Sequence, residues 1–296
     1  MTFKVGENVL KHTFIREKSL CRNNCRYKEV ELFEYSEEEK EAARKPRRNR
    51  FRTSPPKVKD MNDEYSKKYF RWLFHNNFRA GDYMLTLTFA NPTNKQQAQK
   101  DFANFIKRLR RLYVKLGLDL KYLYVYEGKS KGTRPHFHVV LNSGTGINRD
   151  DIERLWKLGL TQSRRLQPDN GGELCEALCE YISKEFKRAS KFERSWNCSA
   201  NLLRPDTVTD DNSVSKKRMR KIQDASRNDE VKELVERLYI GWTLVSSYIG
   251  TNEITGRPFA RFRLVRKQQQ HKRSSRRVDN RRAACCMSGT ECRLVI

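Results

Sequence analysis

Two histidines lie two residues apart in the segment from Pro135 to Leu141, within an otherwise apolar run. Successive residues of a β-strand point to opposite faces, so His136 and His138 would share a face while Phe137 points away. Neutral imidazole is a common ligand of Mn, Zn and Ni, and such a pair can hold a divalent ion. An H-x-H pair can also be incidental, but polar residues in an apolar strand need a reason. The pair therefore indicates a metal site.

Glu127 is the candidate third ligand, because it closes the strand that precedes this segment. A hairpin between the two strands would bring its carboxylate toward both imidazoles. Two histidines and one carboxylate leave coordination positions open, through which an ion can act as a Lewis acid on a phosphodiester. A glutamate at a strand end can equally be a solvated turn residue, and this alternative stays open.

Tyr181 and Lys184 lie three residues apart in a segment with helical character, which places them on one helix face. A free phenol has a pKa of about 10 and attacks poorly. A polarised phosphate and a nearby cation both favour the phenolate and the charge that develops on phosphate. We therefore interpret Tyr181 as a candidate nucleophile and Lys184 as that cation. The alternative is ordinary packing of one tyrosine among twelve.

The elements that would position these residues follow from hydrophobic periodicity. The predicted order is β, α, β, β, α, α, which is typical of an α+β domain of ferredoxin-like type, with helices packed on one face of an antiparallel sheet. The predicted elements are a helix over Asp63–Phe78, a strand over Tyr83–Phe89, a helix over Lys95–Leu116, strands over Lys121–Tyr126 and Pro135–Leu141, and helices over Ile152–Leu158 and Glu173–Arg188.

The composition indicates a polyanionic partner. Lysine and arginine total 62 against 36 acidic residues, for a formal charge of +26. Nucleic acid is the expected partner, although charge alone could also serve solubility. No run of about 18 apolar residues occurs, and the N-terminal residues lack the apolar core of a signal peptide. We therefore expect a protein of the host cell cytoplasm with no membrane partner.

These residues carry a family resemblance. Tyr83–Phe89 resembles the first motif of rolling-circle replication initiators, Pro135–Leu141 resembles their His-hydrophobe-His motif, and Tyr181 with Lys184 resembles the third, in the expected order. The chain thus resembles the HUH superfamily. More narrowly, the stretch from Asp63 to Pro205 is similar to replication-associated proteins of filamentous phages, microviruses and mobile elements of Firmicutes.

The resemblance implies an HUH endonuclease fold and a site-specific endonuclease and strand transferase that starts rolling-circle replication. Such an enzyme uses Mg²⁺ or Mn²⁺ to nick single-stranded origin DNA. It retains a 5′-phosphotyrosine, releases a 3′-hydroxyl primer and later rejoins the strand. Single-stranded DNA, an origin hairpin, and a host DNA polymerase and helicase would be its partners. Some relatives use two tyrosines, but the helix around Tyr181 carries no second one, so we expect a single-tyrosine cycle.

Two other functions stay open at this stage. A noncatalytic module could bind single-stranded nucleic acid on a sheet with exposed aromatic residues, although this would not explain the histidine pair. An HUH transposase or conjugative relaxase would share the chemistry. Relaxases usually place the tyrosine before the histidines, whereas Tyr181 follows them.

Composition also predicts the domain organisation. Residues 1–62 would be an N-terminal segment with a mobile charged arm, and residues 63–205 would form the HUH endonuclease domain. Residues 206–228 would be a polar linker, residues 229–265 a C-terminal helix with two strands, and residues 266–296 a disordered basic tail. Two C-x-x-x-C pairs, Cys21 with Cys25 and Cys175 with Cys179, could suit zinc but more commonly pack as small buried side chains.

The basic tail leads to the first testable prediction. Each phosphate that a protein neutralises on a single strand contributes a salt slope of about 0.7. A chain ending at Lys267 should therefore show a flatter salt dependence of DNA binding than the full chain, while preference for origin over scrambled DNA survives because phosphate contacts do not read bases. Affinity measured against salt concentration tests this. An unchanged slope would show that the tail does not bind DNA phosphates.

Overall fold

Two five-stranded antiparallel sheets form the framework of the protein. A computed structural model describes residues 13–44, 56–128, 134–169, 174–184, 195–225, 227–252 and 255–267. The strands are β1 (Thr13–Cys21), β2 (Tyr27–Ser36), β3 (Tyr83–Thr88), β4 (Tyr122–Glu127), β5 (His136–Leu141), β6 (Thr161–Arg165), β7 (Trp196–Cys198), β8 (Asp206–Asp210), β9 (Trp242–Thr251) and β10 (Pro258–Arg266). The helices are α1 (Glu37–Arg44), α2 (Pro56–Asn77), α3 (Lys95–Lys115), α4 (Arg149–Arg154), α5 (Glu176–Ser183), α6 (Lys216–Asp224) and α7 (Asn228–Leu238).

The sheet that carries the histidines, called the histidine sheet below, has the strand order β6-β3-β5-β4-β7. Helix α3 covers one of its faces. The Asn94 side chain caps this helix by accepting a 2.9 Å hydrogen bond from the Gln97 N–H. Its apolar residues recur at helical spacing, so Phe102, Phe105 and Leu109 are buried against the sheet. The histidine sheet thus has one apolar face.

The opposite face of the histidine sheet packs on α2 and α5. These helices share one hydrophobic core with the second sheet, whose strand order is β8-β1-β2-β10-β9. Phe70, Trp72 and Leu73 of α2 are completely buried in this core. The Trp72 indole N–H also donates a 3.1 Å hydrogen bond to the Leu20 carbonyl of β1. Helix α2 therefore lies between the two sheets and is apolar on more than one side.

The predicted α+β class with an antiparallel sheet is confirmed. The arrangement differs in that helices cover both faces of the histidine sheet, because the second sheet holds α2 and α5 against the face opposite α3. The second five-stranded sheet was not anticipated. Its strands β1 and β2 interleave apolar residues with many charged ones, and the charged side chains pair across strands and helices. Such paired charges make a buried strand resemble a solvated segment in sequence.

Several predicted segments have more structure than expected. Residues 206–228, expected to be a linker, contain β8 and α6, and Met219 and Ile222 of α6 are buried. The N-terminal 1–62 segment contains β1, β2 and α1, while residues 45–55 of its charged arm lie outside the described residues. The predicted C-terminal helix and two strands are present as α7, β9 and β10. Most of the predicted 266–296 tail lies outside the described part of the chain. The boundaries of residues 63–205 as a separate domain stay a prediction.

A buried ion pair joins the second sheet to α2. The Arg71 guanidinium Nε donates to Glu29 Oε1 at 2.6 Å, and the Tyr27 hydroxyl donates to the same oxygen at 2.7 Å. Burial by itself would lower the pKa of Arg71, but the Glu29 carboxylate raises it above its ordinary value. Because both partners are almost inaccessible to water, removing either one would leave an uncompensated buried charge.

Gly159 allows a loop to approach the end of β3. On either side of it, the Thr88 N–H donates to the Leu160 carbonyl at 2.8 Å and the Ala90 N–H donates to the Leu158 carbonyl at 2.9 Å. A β-carbon at Gly159 would overlap the Thr88 carbonyl oxygen and lie 2.5 Å from the Ala90 nitrogen. Both obstacles are backbone atoms, which cannot rotate away. Only glycine fits this contact.

Gly159→Ala should lower the free energy of unfolding by about 2–3 kcal/mol, because the backbone of β3 or of the loop must shift to admit the methyl group. Gly250→Ala is the matched control. At that position the nearest atom is the far end of the Tyr248 side chain at 3.3 Å, which can move. The control should change stability by less than about 1 kcal/mol. Urea denaturation measures both, and equal midpoints for the two variants would contradict the close approach.

Candidate metal and nucleophile site

The two histidines share a face of β5 because the strand is covered on both sides. Phe137 and Val139 are fully buried against α3, so His136 and His138 must point to the opposite face. The strand register places His136 opposite Glu127 of β4 and His138 opposite Thr86 of β3. Directly opposite residues point to the same side of a sheet, so one face of the histidine sheet collects these polar groups.

Glu127, His136 and His138 form a compact ligand group. Glu127 Oε2 lies 3.1 Å from His136 Nε2, and Glu127 Oε1 lies 3.5 Å from His138 Nε2. The two Nε2 atoms are 3.3 Å apart. One ligand atom from each residue lies within 4.8 Å of the others, so the group could hold a metal ion. Within the described ranges no other set of three or more His, Cys, Asp or Glu residues meets this criterion. Two imidazoles and one carboxylate suit a borderline divalent ion.

Hydrogen bonds on the far side of each imidazole orient the ligand nitrogens. His136 Nδ1 lies 2.8 Å from the Arg134 carbonyl oxygen, which can only accept, so Nδ1 is the protonated nitrogen and donates. This leaves the Nε2 lone pair of the neutral ring directed toward the ligand group. His138 Nδ1 lies 3.3 Å from the Thr86 hydroxyl. Thr86 is thus a supporting residue that the sequence analysis did not identify, although its position in β3 could have indicated the shared face.

The electrostatics of the group favour metal binding over proton binding at His138. The hydrogen bond from His136 lowers the pKa of Glu127, and the same hydrogen bond raises the pKa of His136. Burial lowers the pKa of His138. His138 is therefore neutral at physiological pH with its Nε2 lone pair available, while Glu127 is ionised. A divalent ion would take the place of the proton that Glu127 and His136 share.

Helix α5 places Tyr181 beside the histidines. The Tyr181 ring centroid lies 5.7 Å from that of His138, and 57% of the tyrosine surface is exposed. Lys184 follows at the end of the helix, where its backbone N–H donates to the Tyr181 carbonyl at 3.4 Å. The Lys184 side chain is exposed, and its role as a cation stays a prediction. The predicted continuation of the helix to Arg188 lies outside the described residues.

The second sheet anchors the helix that carries Tyr181. Arg263 of β10 contacts two carboxylates one helical turn apart, with its Nη1 atom 3.1 Å from Glu176 Oε2 and 3.1 Å from Glu180 Oε1. Glu176 Oε1 also lies 3.2 Å from Nε2 of the buried His75 in α2. No local pattern in the sequence indicated these contacts, because Arg263 lies more than eighty residues from its partners.

The cysteines in the described ranges are free thiols. Cys175 and Cys179 are buried in the core around α5, and burial raises the pKa of Cys175 to about 11. The sulfur atoms of Cys21 and Cys25 lie 3.5 Å apart. Neither pair belongs to a group of three or more possible metal ligands in this part of the chain. Cys175 and Cys179 therefore serve as small core residues here.

None of the helices that the structure describes is long and apolar enough to cross a membrane. Residues 82–186 match the model of one protein family, the replication-associated proteins of the ORF2 type. The matched residues are roughly a third of the chain and include Glu127, His136, His138, Tyr181 and Lys184. The match supports a role in starting replication and hence DNA binding. No match was found among curated proteins or among solved structures.

The geometry predicts an order of effects on metal binding. His138→Ala should abolish Mn²⁺ binding, because it removes a ligand. Thr86→Val should weaken binding about 10- to 100-fold, because it removes only the hydrogen bond that orients His138. Thr209→Val, an exposed threonine on β8 of the second sheet, is the matched control and should bind normally. Isothermal titration with MnCl₂ measures all three, and wild-type affinity in His138→Ala would rule out this metal site.

Proposed function

We propose that the protein is an HUH-type rolling-circle replication initiator that nicks single-stranded origin DNA with Tyr181. The observation that carries this proposal is the position of the exposed Tyr181 ring, 5.7 Å from the ring of His138. A nucleophile and a candidate metal group thus adjoin one another on one face of the histidine sheet. The family match over residues 82–186 supports the replication role.

The proposed reaction exchanges one phosphodiester bond for another. The Tyr181 hydroxyl oxygen loses its proton to solvent and attacks the scissile phosphorus, while the bond from phosphorus to the 3′ oxygen breaks. The departing 3′ oxygen takes up a proton and becomes a free hydroxyl that can prime synthesis. The 5′ end of the cut strand remains on Tyr181 as a phosphotyrosine. Attack by a 3′-hydroxyl on that phosphotyrosine rejoins the strand and regenerates the phenol.

Glu127, His136 and His138 would hold the divalent ion, Mg²⁺ or Mn²⁺. When bound, the ion supplies Lewis-acid polarisation of the scissile phosphate. The Arg134 carbonyl and the Thr86 hydroxyl keep the two imidazoles in position, since each contacts a ring nitrogen on the side away from Glu127. Lys184, at the end of α5, would stabilise the charge that develops on the phosphate oxygens.

A noncatalytic binding module accounts for the charge of +26 but leaves the ligand group unexplained. Such a module has no need for two imidazoles and a carboxylate within 4.8 Å of one another and beside an exposed tyrosine. A transposase or a relaxase would use the same chemistry. The family description, a replication-associated protein, favours the initiator among these.

Tyr181→Phe should reduce nicking of single-stranded DNA by at least about a thousandfold, because the attacking oxygen is lost. Its DNA affinity should stay within a few-fold of wild type. Tyr248→Phe, another exposed tyrosine on β9, should nick normally. Gel assays with labelled DNA and Mn²⁺ measure cleavage, and mass spectrometry locates the covalent nucleotide. An adduct on a different tyrosine, or full cleavage in EDTA, would refute the proposed mechanism.

A further inference from the structure

A cavity of about 330 Å³ lies beside β7, at the edge of the histidine sheet. Helix α2 contributes Tyr65 and Tyr69 to its wall, and the strand contributes Trp196 and Asn197. Arg204 also lines it. The reaction proposed above uses none of these residues. Aromatic faces next to an amide and a guanidinium form a surface suited to a flat, polar ring.

The aromatic side chains of the cavity are held in place before any ligand arrives. Tyr69 stacks on Trp196 with ring centroids 5.9 Å apart and planes 18° apart. The Trp196 indole N–H donates a 3.0 Å hydrogen bond to the Ser66 hydroxyl. Tyr65 continues the series at 6.4 Å from Tyr69, and 41% of its surface is exposed. Tyr65 thus offers an accessible aromatic ring next to a fixed stack.

Positive charge surrounds this aromatic surface. The Lys18 ammonium lies 5.5 Å from the centroid of the Tyr65 ring. The Arg22 guanidinium donates a 3.1 Å hydrogen bond to the Arg204 carbonyl oxygen, which brings it to the same rim. None of the described residues that line the cavity is acidic. The Ser195 hydroxyl, also in the lining, is buried without a hydrogen-bond partner among the described residues.

The strand register relates the cavity to the candidate site. Trp196 of β7 lies opposite Val125 of β4, which lies opposite His138 of β5. Opposite residues point to the same side, so Trp196 and His138 lie on the same face of the sheet, two strands apart. Two strand spacings amount to about 10 Å. A strand of DNA whose phosphate reaches the histidines can therefore place a neighbouring nucleotide at the cavity.

We propose that this cavity binds an unpaired base of the single-stranded DNA next to the scissile phosphate. The base stacks on Tyr65, and Lys18, Arg22 and Arg204 contact the flanking phosphates. Stacking on aromatic rings within a basic groove is the usual way in which proteins hold single strands. The link to the scissile phosphate rests on the proposed function, whereas base binding itself does not.

The test uses the full chain in EDTA, so that binding is measured without cleavage. The probes are a labelled oligothymidylate of about 16 nucleotides, near the upper site size of small single-strand binding domains, and an abasic oligomer of the same length. Tyr65→Ala should bind the oligothymidylate about 10-fold more weakly than wild type, while Tyr65→Phe, which keeps the ring, should bind within about 2-fold. On the abasic probe, wild type and Tyr65→Ala should bind equally, because no base is present to stack.

Two further variants separate base binding from other effects. Tyr248→Ala removes an exposed tyrosine of β9 at the edge of the second sheet and should bind both probes like wild type. Arg204→Gln should weaken binding to both probes alike, because it removes a phosphate contact. Unchanged affinity in Tyr65→Ala, or an equal loss on both probes, would overturn the proposal. Loss of stacking in a protein that fails to nick DNA would refute the proposed function and leave the base site standing.

Discussion

The central position of β5 in a sheet covered on both faces is the constraint on which the site depends. Phe137 and Val139 fill the core under α3, and the alternation of the strand then sends His136 and His138 to the other side. A shift in register by one residue would move both imidazoles into the apolar core. Packing on one face therefore specifies the chemistry on the other. The same register places Glu127 beside His136.

The site also depends on a sheet that contributes none of its ligands. Helix α5 carries Tyr181, and Arg263 of the second sheet holds this helix through Glu176 and Glu180. Buried charge in this region is paired, as in Glu29 with Arg71, since an isolated buried charge would be strongly destabilising. The family match ends at residue 186, but the core around α5 includes Phe262 and Leu264 of β10. The nucleophile helix is thus packed by residues from outside the matched stretch.

A cation site in a protein with a formal charge of +26 needs local compensation. Long-range repulsion is screened beyond about 8 Å at physiological ionic strength, so the nearest groups dominate. Glu127 provides the negative charge in the ligand group, and its pKa is lowered by the hydrogen bond with His136. His138 stays neutral because burial lowers its pKa. The basic surface can therefore attract DNA while the interior of the site retains affinity for a cation.

The sequence by itself determined the elements that depend on local pattern. The alternation of β5, the helical spacing of α3 and the α+β class could all be predicted, because side-chain periodicity follows directly from strand and helix geometry. The shared face of the two histidines followed from the same rule. The three candidate ligands and Tyr181 could be named in advance, although their mutual distances could not.

Only the tertiary structure decided which distant segments meet. Strands β1 and β2 escaped prediction because their charged residues pair with groups far along the chain, as Arg16 does with Asp211 at 2.6 Å. The contacts of Thr86 with His138, of Arg263 with α5 and of Tyr69 with Trp196 have the same origin. Periodicity specifies which face of an element is buried but not the partner that buries it. That partner is selected by the packing of the whole chain, so the support of the site became visible only in the folded protein.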